Sequence, residues 1–399
     1  MLINDKYHLS YSTNIHPGDG WEDTFRNLNE YIPSIKSKVS EDKPFGIGLS
    51  LTNRASIELN KNYNLIFFKE WLAANNLYVH TINGYVYGME GYSMIKDFVH
   101  LPDWTTQERF KYTKRLVSQL ALLLPEGVNG SISTSPLSYK HWHTTETLLE
   151  NSYETSAKNL AKIILELYKV ETKTGKYIHL DLEPEPDTLL ENSNEVIHFF
   201  RGYLAPIGIR YLTKKLKVNE EIAEYMVYHY INICYDVCHF SLEYEEPDLT
   251  FKRFEQTGIK IGKVQLSSAL KVIFQEKEND LIIKDLYALK DSAFLHQVRE
   301  RVGNEVVKYS DFQVILRKKE MVNEIRAQFH VPVFIDKFGA LSSTQDQLIK
   351  VIDCLKNRYI TDHIEVETYA WEVLPDNLRK DLRGSIVREL SWVQERLSN

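Results

Sequence analysis

Short β-rich runs alternate with amphipathic helical patterns along the whole chain, and this rhythm limits the folds open to it. The β-rich runs are 7–15, 45–51, 77–82, 129–135, 177–183, 231–236, 262–268 and 363–369. Helical patterns lie between them at 21–38, 55–74, 105–124, 155–172, 218–229, 248–257 and 343–356, with 375–396 after the last run. In "WTTQERFKYTKRLVSQLALLL", Phe110, Leu116, Leu120 and Leu123 recur near helical spacing. A threonine cap and a first-turn glutamate open that pattern. Eight strands, each followed by a helix, predict an α/β fold, the (β/α)8 or TIM barrel. A doubly wound sheet shares the alternation, so the count of strands decides. No glycine-rich dinucleotide turn follows the first run, since "HPGDG" has the wrong spacing. Residues 1–399 are read as one barrel domain. Segment 270–328 breaks the rhythm and is read as an insertion after strand seven, a lid or an accessory subdomain.

The 399 residues are 43% hydrophobic, enough for a large core. A net charge of −7 argues against a nucleic-acid-binding surface. No apolar stretch approaches a membrane span, and "MLINDKYHLSYSTN" lacks the basic and apolar segments of a signal peptide. Three cysteines, Cys234, Cys238 and Cys354, fit a reducing cytoplasm, and the first two are read as small buried residues.

A barrel works at the C-terminal ends of its strands. Those ends are polar here. They carry His16, His80 and Asn83, then Asp181, Glu183 and Glu185, then Asp236 and His239, then Gln265 and Ser267, and last Glu365 and Glu367. Side chains two apart share a face, so His179, Asp181 and Glu183 oppose Ile178, Leu180 and Leu182. The same holds for His363, Glu365 and Glu367 against Ile364 and Val366. With the apolar set on the helices, the acids face the barrel axis and need a counter-charge. A divalent cation supplies one, and lysine or arginine partners are the competing source. For the set Glu183, Asp236, Gln265 and Glu367 we take the metal reading. The oxygen-rich donors suit Mn, Mg or Co, and Zn if His239 or His330 joins. His239 is open between metal ligand, substrate contact and orienting group, and His330 between a place at the centre and a structural one. His16, His80, Asn83, His239 and Ser267 are the candidate substrate contacts.

Glutamate at strand five, Asp-x-x-His at strand six, a polar residue at strand seven and glutamate at strand eight resemble the xylose-isomerase-like barrels. Those include sugar isomerases, sugar 3-epimerases and metal-dependent apurinic endonucleases. "LEPEPD" is similar to the Glu-Pro segment of sugar isomerases, which implies a metal role for Glu183. "YDVCH" implies Asp236 as ligand and His239 as ligand or substrate contact, and "VETYAW" implies Glu367. In epimerases of this type two carboxylates act as acid and base, which implies Glu183 and Glu367. Strand seven departs from that pattern, with Gln265 where the epimerases carry histidine.

Longer segments, among them "STNIHPGDGWEDTFRNL", "LPEGVNGSISTSPLSYK", "KYIHLDLEPEPD", "CYDVCHF" and "VETYAWEVLP", resemble the EboE family of metabolite traffic proteins of bacterial Ebo gene clusters. That implies a role with a secondary-metabolite precursor, with a small-molecule metabolite and proteins of the same pathway as partners. The functional expectation is a divalent-metal-dependent isomerase or epimerase on a polyhydroxy or carbonyl compound. The alternative is a non-catalytic metabolite-binding or carrier protein using the same pocket. A phosphodiesterase like the apurinic endonucleases ranks last.

Overall fold

The computed structural model describes residues 1–16, 18–88, 99–274, 279–288, 296–303, 305–311, 314–315, 323–367 and 381–398. The end of the expected strand 363–369, the start of helix 375–396, and parts of 270–328 lie outside the described residues.

Eight parallel strands form the barrel expected from the sequence. They are β2 (Tyr7–Tyr11), β3 (Phe45–Ser50), β4 (Leu77–Asn83), β5 (Gly130–Thr134), β6 (Ile178–Leu182), β7 (Ile231–Asp236), β8 (Ile261–Leu266) and β15 (His363–Val366). A short β1 (Leu2–Ile3) pairs antiparallel with β2. The order is β1-β2-β15-β8-β7-β6-β5-β4-β3, and a parallel bridge from Ser12 to Gly48 brings β3 back to β2. Helices cover the outside. Thr106 caps Gln107–Leu123 by accepting from the Arg109 N–H at 3.3 Å, which bears out the threonine expected there. The pattern at 55–74 is two helices, Asn53–Leu59 and Asn64–Ala74. A helical run at 193–216, absent from the sequence reading, contains a π-turn at Phe200–Leu204 before Ala205–Leu216.

The apolar alternates behave as the pleat requires. Ile178, Leu180, Leu182, Ile364 and Val366 are buried in the main core. The polar alternates fill the barrel interior, and two glycines make room for them. A Cβ on Gly48 would lie 1.8 Å from Glu365 Oε2, and one on Gly262 would lie 2.0 Å from Asp181 Oδ1.

A second sheet is antiparallel and six-stranded, in the order β11-β10-β12-β9-β14-β13. Its strands are β9 (Leu270–Ile273), β10 (His296–Val302), β11 (Glu305–Asp311), β12 (Glu324–Ala327), β13 (Lys337–Phe338) and β14 (Leu341–Ser343). Segment 270–328 contributes four of these, and β13 and β14 come from beyond it. The sheet has its own core around Val272, Ile282, Val298, Ile325, Phe329 and Leu341. Arg299 of β10 binds it to the barrel rim, with Nε 3.0 Å from Glu243 and Nη2 3.0 Å from Asp187 and 3.3 Å from Glu191. Lys308 of β11 also binds Glu191.

Candidate metal centre

Three acids meet where their strands end. Glu183 follows β6, and its N–H donates to the Thr134 carbonyl at 3.0 Å, so pairing with β5 continues one residue past the strand. Glu367 follows β15, tied by its N–H to the Leu266 carbonyl at 3.1 Å. Asp236 ends β7 and caps the short helix Val237–Leu242. Each of the three offers an oxygen that lies within 4.8 Å of the other two. All three are buried. Burial, and then the charges of Glu367 and Asp236, push the Glu183 carboxyl well above the ordinary carboxylate range.

Asp236 is the most constrained. Its Oδ1 accepts from Ser267 Oγ at 2.6 Å and from the His239 N–H at 3.1 Å. Its Oδ2 is buried and accepts no hydrogen bond among the described residues. Burial would raise this carboxyl, yet His239, His330 and the bond from Ser267 hold it below the ordinary value. A buried carboxylate oxygen left open beside two more acids fits a divalent cation, and the donor set is what hard cations take.

Asp236 also belongs to a second group with His239 and His330, whose ligand atoms again lie within 4.8 Å of one another. His239 Nδ1 donates to the Pro184 carbonyl at 3.0 Å, and His330 Nδ1 to the Glu367 carbonyl at 3.3 Å. A carbonyl only accepts, so each Nδ1 carries the proton. The His239 imidazole is lowered by burial but raised more by Asp236, Glu185 and Glu367. Burial lowers His330.

No protein-family model matches this sequence, and no curated protein does. Solved structures do match. A xylose isomerase domain protein from Planctomyces limnophilus aligns at TM-score 0.51 and 10% identity, over 98% of this chain and 97% of that one. A xylose isomerase-like TIM barrel protein from Mycobacterium smegmatis, in complex with magnesium, aligns at 0.48 and 10% identity, over 98% and 96%. A D-allulose 3-epimerase from Methylomonas sp., in complex with D-allulose, aligns at 0.47 and 11% identity, over 99% of each. The fold is xylose-isomerase-like. The first likeness carries that statement, and the other two stand as likenesses alone.

Within this xylose-isomerase-like barrel, the other sequence candidates sit at different depths. Gln265 pairs in register with both Asp236 and Glu365, and its Oε1 accepts from the Cys234 thiol at 3.2 Å. Ser267 touches Asp236 rather than open space, and it also accepts the Cys238 N–H at 2.8 Å. Asn83 lies deeper, giving one bond to Glu365 at 2.9 Å and taking another from Lys263 at 2.6 Å. His80 is at the far end of the strands, its Nδ1 3.0 Å from that of His363. His363 opens β15 four residues before Glu367, about 13 Å along the strand. His16 is outside the barrel wall, bonded to the Tyr11 hydroxyl at 2.9 Å and stacked on Tyr31 at 4.3 Å. The geometry therefore gathers Glu183, Asp236, Glu367, His239 and His330, with Gln265 and Ser267 against them, and separates His16 and His80.

Two groups, Lys263 and Gln328, were missed, and a third, Glu185, was named among the polar strand ends without a role. Lys263, fully buried, pairs with Glu365 at 2.8 Å. Its signal was available, because "KVQ" puts Lys263 on the same face as Gln265. Glu185 accepts from the Tyr85 hydroxyl on one oxygen and from Gln328 Nε2 at 2.9 Å on the other. Gln328 also stands 3.2 Å from His239 Nε2. Nothing local marks Gln328, which arrives from the second sheet.

Proposed function

We propose that this chain is a divalent-metal-dependent isomerase or epimerase acting on a polyhydroxy or carbonyl small molecule. The observation that carries this is the buried convergence of Glu183, Asp236 and Glu367, with Asp236 Oδ2 open. Those three residues would hold the ion, which would polarise substrate oxygens and stabilise charge developing on them. Oxygen donors favour Mn, Mg or Co, and imidazole from His239 or His330 admits Zn. Gln265 is a weaker donor, because its amide oxygen already takes the Cys234 thiol.

The chain's own groups do the proton work. Glu183 and Glu367 serve as the acid and base pair. His239, anchored through Nδ1, turns Nε2 towards a ligand or substrate oxygen. Ser267 fixes Asp236 rather than touching substrate. The resemblance to the EboE family adds a place in a metabolite traffic pathway, with a small-molecule metabolite and proteins of that pathway as partners, in the cytoplasm. No helix among the described residues is long and apolar enough to cross a membrane.

A second reading, a metabolite carrier with the same pocket, draws on the rim clamp of Arg299 with Glu243, Asp187 and Glu191, which holds the second sheet against the barrel. Phosphodiester cleavage remains last, given the net charge of −7.

The test is solvent deuterium exchange into a panel of ketoses, aldoses and hydroxy-ketones, with the metal-loaded protein and with Glu183→Gln. Exchange in the wild type that falls by about 100-fold or more in the variant supports the enzyme. Retention of an unmodified metabolite through purification, with no exchange in any panel member, replaces it with the carrier.

A further inference from the structure

We propose that the helix Asn64–Ala74 is the contact of a homodimer, in which two copies of the chain pair this helix antiparallel across a twofold axis between Ile66 and Phe67. The proposal concerns the outside of the barrel and stands apart from the metal reading.

The helix turns one side to the core and the other to solvent. Phe68 and Leu72, four apart, are buried, and Leu65 and Trp71 are half-buried beside them. At 3.6 residues per turn the opposite side carries Tyr63, Ile66, Phe67, Glu70, Ala73 and Ala74, all exposed. Tyr63 is 67% exposed, Ile66 54% and Phe67 62%. A single exposed apolar side chain is ordinary. Three large ones gathered within little more than one turn form a patch, and such patches mark contact surfaces.

The occupant must match an acid as well as apolar groups. Glu70 stands within this face, and no ion pair or hydrogen bond joins it to a described residue. The same is true of the Tyr63 hydroxyl. A twofold axis brings together residues at equal distances on either side of it, so one surface has to complement itself. This one does. Ile66 meets Phe67 of the partner subunit, and Tyr63 meets Glu70 of the partner subunit. The Tyr63 hydroxyl donates to that carboxylate, and the contact is made twice. The helix dipoles agree with this direction. Tyr63 is the N-cap and makes no side-chain cap bond, so the partner's Glu70 arrives at an uncapped, positive helix end. Lys61, just ahead of the helix, comes to the negative end of the partner helix. Ala73 and Ala74 are small enough to let the two backbones approach there.

A lipid surface fits this face less well. It offers no donor placed for Glu70, and the net charge of −7 opposes an anionic membrane. The size of the patch sets the strength of the dimer. A whole aromatic side chain buries about 150–250 Å², so the three exposed side chains withdraw roughly 300–400 Å² per chain. A standard interface takes about 800 Å² per partner, so this dimer dissociates on dilution.

The test is the mass of the full chain by sedimentation velocity and light scattering, over roughly 1–200 µM. The wild type should move from the mass of one chain towards that of two as concentration rises. Phe67→Glu places four carboxylates around the axis and should raise the dissociation constant by about 100-fold or more. Tyr63→Phe removes only the hydroxyl and should raise it by about 10-fold. Leu122→Glu, at an equally exposed apolar position (52%) on another helix, should leave it unchanged. Unchanged thermal unfolding in Phe67→Glu confirms that the contact and not the fold was lost. A wild type that stays monomeric at every concentration overturns the proposal. A dimer that persists in Phe67→Glu overturns it too, because the contact then lies elsewhere. A monomer that cosediments with phosphatidylcholine–phosphatidylglycerol vesicles, and fails to do so as Phe67→Glu, replaces the second copy with a lipid surface.

Discussion

The barrel interior has two polar layers that handle charge in opposite ways. In the lower layer each acid has a protein partner. Glu365 is paired with Lys263 at 2.8 Å and bonded by Asn83, and Asp181 is bonded by His179 and Ser131, each at 2.6 Å. In the upper layer Glu183, Asp236 and Glu367 converge on one another with no lysine or arginine between them among the described residues, while a buried oxygen without a hydrogen bond is found in both layers, on Asp236 and on Glu365. The difference separates structure from chemistry. A buried charge satisfied by the chain is part of the scaffold, whereas buried charges aimed at each other need something from outside.

The comparison breaks most sharply at Lys263. Lys263→Met leaves Glu365 buried and uncompensated, and should destabilise the fold by ~3–5 kcal/mol in chemical denaturation. The matching change above, Glu183→Gln, should leave the metal-free protein as stable as the wild type or more so, because burial and the charges of Glu367 and Asp236 disfavour its ionised form. Equal losses from the two changes would erase the distinction between the layers.

The rim supplies a case between the two. Burial alone would raise Glu191, but Lys140 and Lys308 lower it from 4.5 to about 2. A depressed carboxyl stabilises the folded state above its unfolded value and loses that contribution as pH falls through its folded value. Stability should therefore drop by roughly 3 kcal/mol between about pH 5 and pH 2 on this account. Glu191→Gln should flatten that part of the pH–stability curve, and an unchanged slope would remove Glu191 from the explanation.

Metal should act on the upper layer alone. At 100 times its dissociation constant, an ion that binds only the folded state adds about 2.7 kcal/mol. Thermal unfolding should rise with added Mn²⁺ in the wild type and stay flat in Asp236→Ala. The smallest effect expected is at Ser267, which orients Asp236. Ser267→Ala should weaken metal binding by about 10-fold with little change in the fold, as read by titration calorimetry.

Much of this was legible in the residues. The run "HLDLE" shows by simple alternation that Asp181 and Glu183 face one way and the leucines the other, and the structure buries the leucines in the outer core. The same rule reached Glu365 and Glu367. It does not report depth. Nothing in the pleat distinguishes Glu365, held by a lysine, from Glu367, one layer higher among the acids. His80 faces inward as a strand-end reading implies, yet lies against His363 at the opposite end. His16 follows strand one but turns outward onto Tyr31, a partner known only once the helix Trp21–Val39 is packed.

By itself the sequence determined the β/α rhythm, the count of strands and the face each side chain takes, because the direction of a side chain is set locally by the backbone that carries it. Only the tertiary structure decided which inward acids meet a cation and which meet each other. Register between neighbouring strands puts Asp236, Gln265 and Glu365 in one row, and closure of the barrel sets the distances across it. The second sheet then delivers Gln328 beside His239, and the chain just beyond it brings in His330. Those encounters join residues far apart in sequence, where no local pattern can encode the distance between them.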